Sequence, residues 1–213
     1  MAFSTREDFD RRAATRLAPA DAVLDDFLRT DFDLNPGWAI SAPKPYRRAA
    51  VLIVLVDRGE DYGVLLTLRP ETMTQHAGQI AFPGGRIDED DVSPLAAALR
   101  EAREEVGLDG PVTVLGQADP YLTSSGYVVS PFLVRAENFT PVIDPKEVAA
   151  VFETPLSFLM TPGNHQRHER AYNGGLRAYY AMPHNGRYIW GATAGMIKSV
   201  YDRLYLDADG DGR

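Results

Sequence analysis

The apolar run at residues 49–56 limits the folds open to this chain more than any other stretch. It is the longest such run, yet far short of the roughly 20 residues that span a bilayer. Its surface therefore has to be covered by the rest of the protein. With Arg48 in front it reads Arg-Ala-Ala-Val-Leu-Ile-Val-Leu-Val, rich in β-branched residues, which predicts a buried strand over 48–56. Asp57-Arg-Gly-Glu-Asp61 is a turn signal, and residues 62–69 are the expected hairpin partner. Further strands are expected at 112–118, 127–135, 176–182 and 188–190. Helices are expected at 94–106, 155–160 (short) and 193–206, with a polar loop at 164–173. Strands and helices mix without strict alternation, so the expected class is α/β, with a mixed sheet flanked by helices.

The expected organisation is an N-terminal helical extension over 1–45, one catalytic-sized domain over 46–206 and a flexible acidic tail over 207–213. Residues 4–17 and 19–29 carry helical periodicity, and Asn35-Pro-Gly-Trp38 and Ala42-Pro-Lys-Pro45 break the chain before the domain. The tail Asp207-Ala-Asp-Gly-Asp-Gly-Arg213 imitates half of a calcium loop, but lacks the closing glutamate.

Composition excludes several function classes. With no cysteine there is no thiolate nucleophile and no cysteine-ligated zinc. His165 and His168 have neither zinc-finger nor helical zinc spacing. A net charge of −8, without a basic run, argues against nucleic acid as a partner. The N-terminus lacks the apolar core of a signal peptide, so no membrane partner and a cytoplasmic location are expected. A small-molecule substrate is the expected partner, and the sequence is compatible with a homodimer.

The helix at 94–106 carries the chemistry. Ser93 suits its N-cap, Pro94 its first position and Gly107 its end. Leu95, Leu99, Ala102 and Val106 form one face, expected to pack on the sheet; Glu101, Glu104 and Glu105 gather on another, with Arg100 and Arg103 pointing elsewhere. Like charges three and four apart destabilise a helix, and the macrodipole disfavours anions near its C-terminus. Carboxylates set against both effects, without histidine or cysteine, suit a hard cation such as Mg²⁺ or Mn²⁺. A solvated acidic face is the plain alternative. Just upstream, Phe82-Pro-Gly-Gly-Arg86 supplies paired glycines that allow close backbone approach to an anion or a metal.

Together these segments resemble the Nudix box, written G-x5-E-x7-R-E-U-x-E-E-x-G-U with U apolar. Its second half is matched by Arg100, Glu101, Ala102, Glu104, Glu105, Gly107 and Leu108. In the first half, Gly85 is followed at the box distance by Asp91 in place of glutamate, and the step from Asp91 to Arg100 is one residue longer. Leu65-Leu-Thr-Leu-Arg69 through Gly78 to Phe82-Pro-Gly-Gly85 is similar to the L-L-T-x-R-[SA]-x3-R-x3-G-x3-F-P-G-G pattern of the coenzyme A pyrophosphatase branch. Pro70 and Thr74 depart from it, Thr74 standing where that pattern has its second arginine. The stretches 123–131, 147–156 and 188–195 are similar to the same branch.

The resemblance implies an α/β/α sandwich and hydrolysis of a diphosphate by water, with Mg²⁺ or Mn²⁺ neutralising charge and polarising the nucleophile. It implies Glu101, Glu104 and Glu105 as metal ligands, with a carbonyl near Gly84 or Gly85. Arg100 would orient a carboxylate, and Glu104 or Glu147 would be the general base. Arg69, Gly84, Gly85 and Arg86 are the candidate substrate contacts. The implied reaction is coenzyme A, or an acyl-coenzyme A, plus water giving 4′-phosphopantetheine (or its acyl form) and adenosine 3′,5′-bisphosphate. Two alternatives stay open: hydrolysis of ADP-ribose or another nucleoside diphosphate derivative or triphosphate, and a non-catalytic nucleotide-binding module. His76 could meet phosphate or base, and Tyr172, Tyr179, Tyr180 and Trp190 could stack on adenine, although such residues are more often structural.

Overall fold

A computed structural model describes residues 3, 5–24, 29–37, 44–72, 76–137, 139–172 and 174–206. Thr74 and the tail 207–213 lie outside them. The element order is α1 (Arg6–Arg16), β1 (Arg29–Thr30), β2 (Arg47–Asp57), β3 (Tyr62–Leu68), β4 (Ile80–Ala81), β5 (Gly84–Arg86), α2 (Pro94–Val106), β6 (Val112–Gln117), β7 (Tyr121–Leu122), β8 (Tyr127–Ala136), β9 (Ala150–Pro155), α3 (Leu156–Leu159), β10 (Gln166–Tyr172), β11 (Gly175–His184), β12 (Arg187–Trp190) and α4 (Ala192–Tyr205).

The apolar run forms β2, the spine of a nine-stranded mixed sheet among the described residues. It pairs parallel with β8 from Arg47↔Tyr127 to Val56↔Ala136. It also forms the expected hairpin with β3. Alternate residues of β2 feed two cores, as strand pleating requires. Ala50, Leu52, Val54 and Val56 meet Ala97, Ala98, Ala102 and Val106 of α2 on one face. Ala49, Ile53 and Leu55 join Phe9 and Ala13 of α1 and Ile197, Val200 and Leu204 of α4 on the other. The molecule is an α/β/α sandwich with a mixed sheet, and β10, β11 and β12 add a small antiparallel sheet beside α4.

Helix α2 starts and stops where its caps dictate. Ser93 Oγ accepts from the Ala96 N–H at 3.1 Å, and Gly107 ends the helix with φ at 69°. Its sheet-facing stripe differs from expectation: Ala97 and Ala98 are fully covered, whereas Leu95 and Leu99 are only half-buried at its margin. The alanines let the helix lie close against β2.

Two local expectations fail. Of the helix expected at 19–29, residues 19–24 hold no helix, 25–28 lie outside the described residues, and Arg29 with Thr30 instead adds to the sheet parallel to β7. The expected polar loop at 164–173 is mostly strand: β10 is held by backbone pairing to β11, not by apolar burial. No helix among the described residues is long and apolar enough to cross a membrane.

Candidate active site

The glycines of Phe82-Pro-Gly-Gly-Arg86 bring β5 against β2. Gly84, at φ 145°, sits so close to Ala50 that a Cβ there would lie 2.4 Å from the Ala50 carbonyl oxygen. Only glycine allows this approach. At Gly85 a Cβ would lie 2.5 Å from Cδ of Glu101. The two glycines therefore press the loop onto the acidic helix.

Glu105 follows from that contact. Its neighbours Ala102 and Val106 face the sheet, and Glu105 turns inward with them to 3% exposure. There it meets the loop backbone in place of apolar side chains, and Oε2 accepts a hydrogen bond from the Gly84 N–H at 3.1 Å. Burial pushes its pKa up to about 7, against the opposing pull of the Gly84 N–H and of Arg69, whose Nη1 is 3.8 Å from Oε1. Burial also raises Glu101 above the ordinary carboxylate value, opposed by the hydrogen bond from Arg100.

Glu147 arrives from a distant loop tied to the end of α2. The Val142 N–H donates to the Val106 carbonyl at 2.9 Å, and the Asp144 N–H donates to the Glu105 carbonyl at 3.1 Å. The result is that oxygens of Glu101, Glu105 and Glu147 lie within 4.8 Å of one another. Three converging carboxylates, one of them buried and raised in pKa, hold more negative charge than the adjacent arginines offset. An all-oxygen donor set with that excess fits a hard divalent cation.

Arg100 lies among the acids, contrary to the expectation that it points elsewhere. Its Nε and Nη2 donate to Asp91 at 3.1 and 2.9 Å, and its Nη1 donates to Glu101 at 3.0 Å and to Glu104 at 3.4 Å. Asp91 is held below the usual carboxylate range, first by Arg100 and then by the Asp88 N–H. Glu104 stands outside the cluster, its side chain 54% exposed. Arg86 is exposed at the end of β5, where its carbonyl accepts from Arg100.

A cavity of about 260 Å³ opens beside Arg69. Its walls include Ser124 and Ser125 from 123–131, and Trp190 and Thr193 from 188–195, so distant motif stretches meet in one place. His76 and Tyr179 also line it. Tyr180 packs on the main core, and Tyr172 is partly exposed. His165 is a structural residue, its Nε2 paired with the Leu159 carbonyl at 2.6 Å. Sequence reasoning missed Asp31, Arg170 and Arg177, which line the same cavity. They sit in polar segments without a recognisable spacing, so only the tertiary fold reveals them.

A family model for the NUDIX domain matches residues 45–173. The chain is 38% identical over 180 residues to the Nudix hydrolase NudL of Shigella flexneri serotype 5b, covering 84% of this chain and 93% of the relative. It is 37% identical to NudL of Escherichia coli K12 over the same shares. Among solved structures, a MutT/nudix family protein from Enterococcus faecalis aligns at 14% identity and a TM-score of 0.48, covering 95% of this chain and 75% of that one.

Proposed function

Because this chain belongs to the Nudix hydrolase family, whose members act on nucleoside diphosphate derivatives and generally use divalent metals, we propose that it cleaves the diphosphate of coenzyme A or an acyl-coenzyme A. The observation that carries this reading is the convergence of Glu101, Glu105 and Glu147 beside Gly84-Gly85, with Arg69 shared between that cluster and the cavity. The coenzyme A branch rests on Leu65-Leu-Thr-Leu-Arg69 leading into Phe82-Pro-Gly-Gly85.

Glu101, Glu105 and Glu147 would hold the Mg²⁺ or Mn²⁺. When bound, such an ion supplies charge neutralisation at the diphosphate and polarises water. The chain's own residues do the rest. Arg100, fixed by Asp91, keeps Glu101 and Glu104 in place. Arg69 offers a cation to a phosphate oxygen beside the cluster. Glu104, at the rim and free of the ion, would take the proton of the attacking water, and Glu147 would do so only where Glu101 and Glu105 alone hold the ion. Loss of 4′-phosphopantetheine leaves adenosine 3′,5′-bisphosphate. We infer that the cavity holds the adenosine half during this step.

Chromatographic product analysis with Mg²⁺ or Mn²⁺ tests the reading, using coenzyme A, ADP-ribose, NADH and a nucleoside triphosphate. Preferred conversion of coenzyme A to adenosine 3′,5′-bisphosphate is the expected result. Preferred cleavage of ADP-ribose would overturn the substrate and leave the hydrolase. No cleavage of any would favour a non-catalytic binding module.

A further inference from the structure

The cavity beside the carboxylate cluster is lined by three arginines in different electrostatic states. Arg69 belongs to the carboxylate end, 3.8 Å from Glu105. Arg177 is 6% exposed, and its charge is matched by Asp31 at 3.0 Å. Arg170 stands directly opposite Arg177 in the β10–β11 ladder. Like charges so placed destabilise a sheet, and Asp31 offsets only one of them. Among the described residues no carboxylate lies within ion-pair distance of Arg170; the adjacent Glu169 pairs with Arg167 at 3.6 Å.

Arg170 is held by aromatic rings instead. Its guanidinium carbon lies 4.9 Å from the Trp190 ring centroid, and Trp190 is braced edge-on by Tyr179 at 5.5 Å. A guanidinium lying over a ring face keeps its N–H donors available to other partners. In a protein of net charge −8, the exposed Arg170 at the wall of the cavity thus offers a cation with no carboxylate partner among the described residues.

We propose that Arg170 is the specificity-determining residue of this cavity, receiving a phosphate monoester that the substrate carries apart from the diphosphate that is cut. The inference rests on the coenzyme A reading, under which that group is the 3′-phosphate of the adenosine half. A dianionic monoester can take two parallel N–H···O bonds from the guanidinium fork. The free ribose hydroxyls of ADP-ribose cannot match that charge.

The test is steady-state kinetics of wild type, Arg170→Gln and Arg170→Lys on coenzyme A and on 3′-dephospho-coenzyme A. With coenzyme A, Arg170→Gln raises KM roughly ten- to hundredfold with kcat nearly unchanged. Its KM for 3′-dephospho-coenzyme A stays at the wild-type value, so the preference for the 3′-phosphate collapses. Arg170→Lys falls between, because it keeps the charge and loses the fork. Equal effects of Arg170→Gln on both substrates, or an effect on neither, would overturn the assignment while coenzyme A hydrolysis by the wild type stood. Wild type inactive on both substrates would overturn the substrate reading itself, and this inference with it.

Discussion

The amide of Gly84 donates a hydrogen bond to Oε2 of Glu105 across 3.1 Å, joining the glycine loop to the acidic helix at the centre of the site. That bond orients a carboxylate that is 3% exposed and shares its surroundings with Glu101 and Glu147. Glu105→Gln preserves its shape and removes its charge. The variant should fold normally and lose roughly a hundredfold to ten-thousandfold in kcat, measured by product formation with Mg²⁺. Turnover near wild type would contradict a metal-holding role.

The same burial gives the metal-free protein a pH dependence. Glu105 titrates near 7 in the folded chain, against an ordinary value of 4.5. Between those values the folded state binds the proton more tightly than the unfolded state does. The neutral form is thus favoured in the fold at low pH, and stability falls as pH rises through this window, by at most about 3 kcal/mol. Thermal unfolding in chelator should show a lower Tm at pH 8 than at pH 6, with Glu105→Gln flattening the difference. A Tm that rises over this range and is indifferent to the substitution would refute the assignment.

Gly84 and Gly85 should fail in different ways. A Cβ at Gly84 meets backbone, the Ala50 carbonyl oxygen at 2.4 Å and the Val51 Cα at 2.6 Å, so Gly84→Ala should destabilise the fold by several degrees of Tm. The three atoms nearest a Cβ at Gly85 all belong to the end of the Glu101 side chain, which can swing away. Gly85→Ala should keep its Tm and lose activity by roughly a hundredfold, because the displaced carboxylate leaves the cluster. Circular dichroism melts beside kinetics separate the two, and equal loss of Tm in both variants would contradict the distinction.

Asp31 ties the N-terminal segment to the cavity. It accepts from Tyr121 OH at 2.6 Å and from Arg177 Nη2 at 3.0 Å. Asp31→Ala leaves the buried Arg177 uncompensated and opposite Arg170, at a cost of roughly 3–5 kcal/mol. Chemical denaturation should show that loss, and Asp31→Ala with Arg177→Met should recover part of it. No change in stability would mean that the pair is solvated rather than structural.

The parts of this molecule that local chemistry determines were legible in the sequence. The strand at 48–56, its hairpin and the caps of α2 depend on neighbours close in the chain, and the link between Gly85 and the acidic helix was legible only through the motif they form together. The contacts that depend on tertiary structure were not. The resemblance named Glu147 as a candidate base, but its convergence with Glu101 and Glu105 follows from its loop hydrogen-bonding the end of α2, and no spacing encodes that. Strand β10, Gln-Arg-His-Glu-Arg-Ala-Tyr, lacks an alternating apolar face and is held by its ladder to β11, so polarity made it read as a loop. Arg29–Thr30 is recruited as an edge strand by β7, overriding the helical pattern before it. The rotation of Arg100 into the acids follows from Asp91 receiving it, which a helical wheel cannot display.

Manganese binding, followed by electron paramagnetic resonance, tests the central claim most directly. Wild type titrated with Mn²⁺ should take up at least one tightly held ion, and Glu105→Gln should weaken or abolish that site while remaining folded. Equal stoichiometry and affinity in the two proteins would contradict the assignment of Glu101, Glu105 and Glu147 as the metal centre.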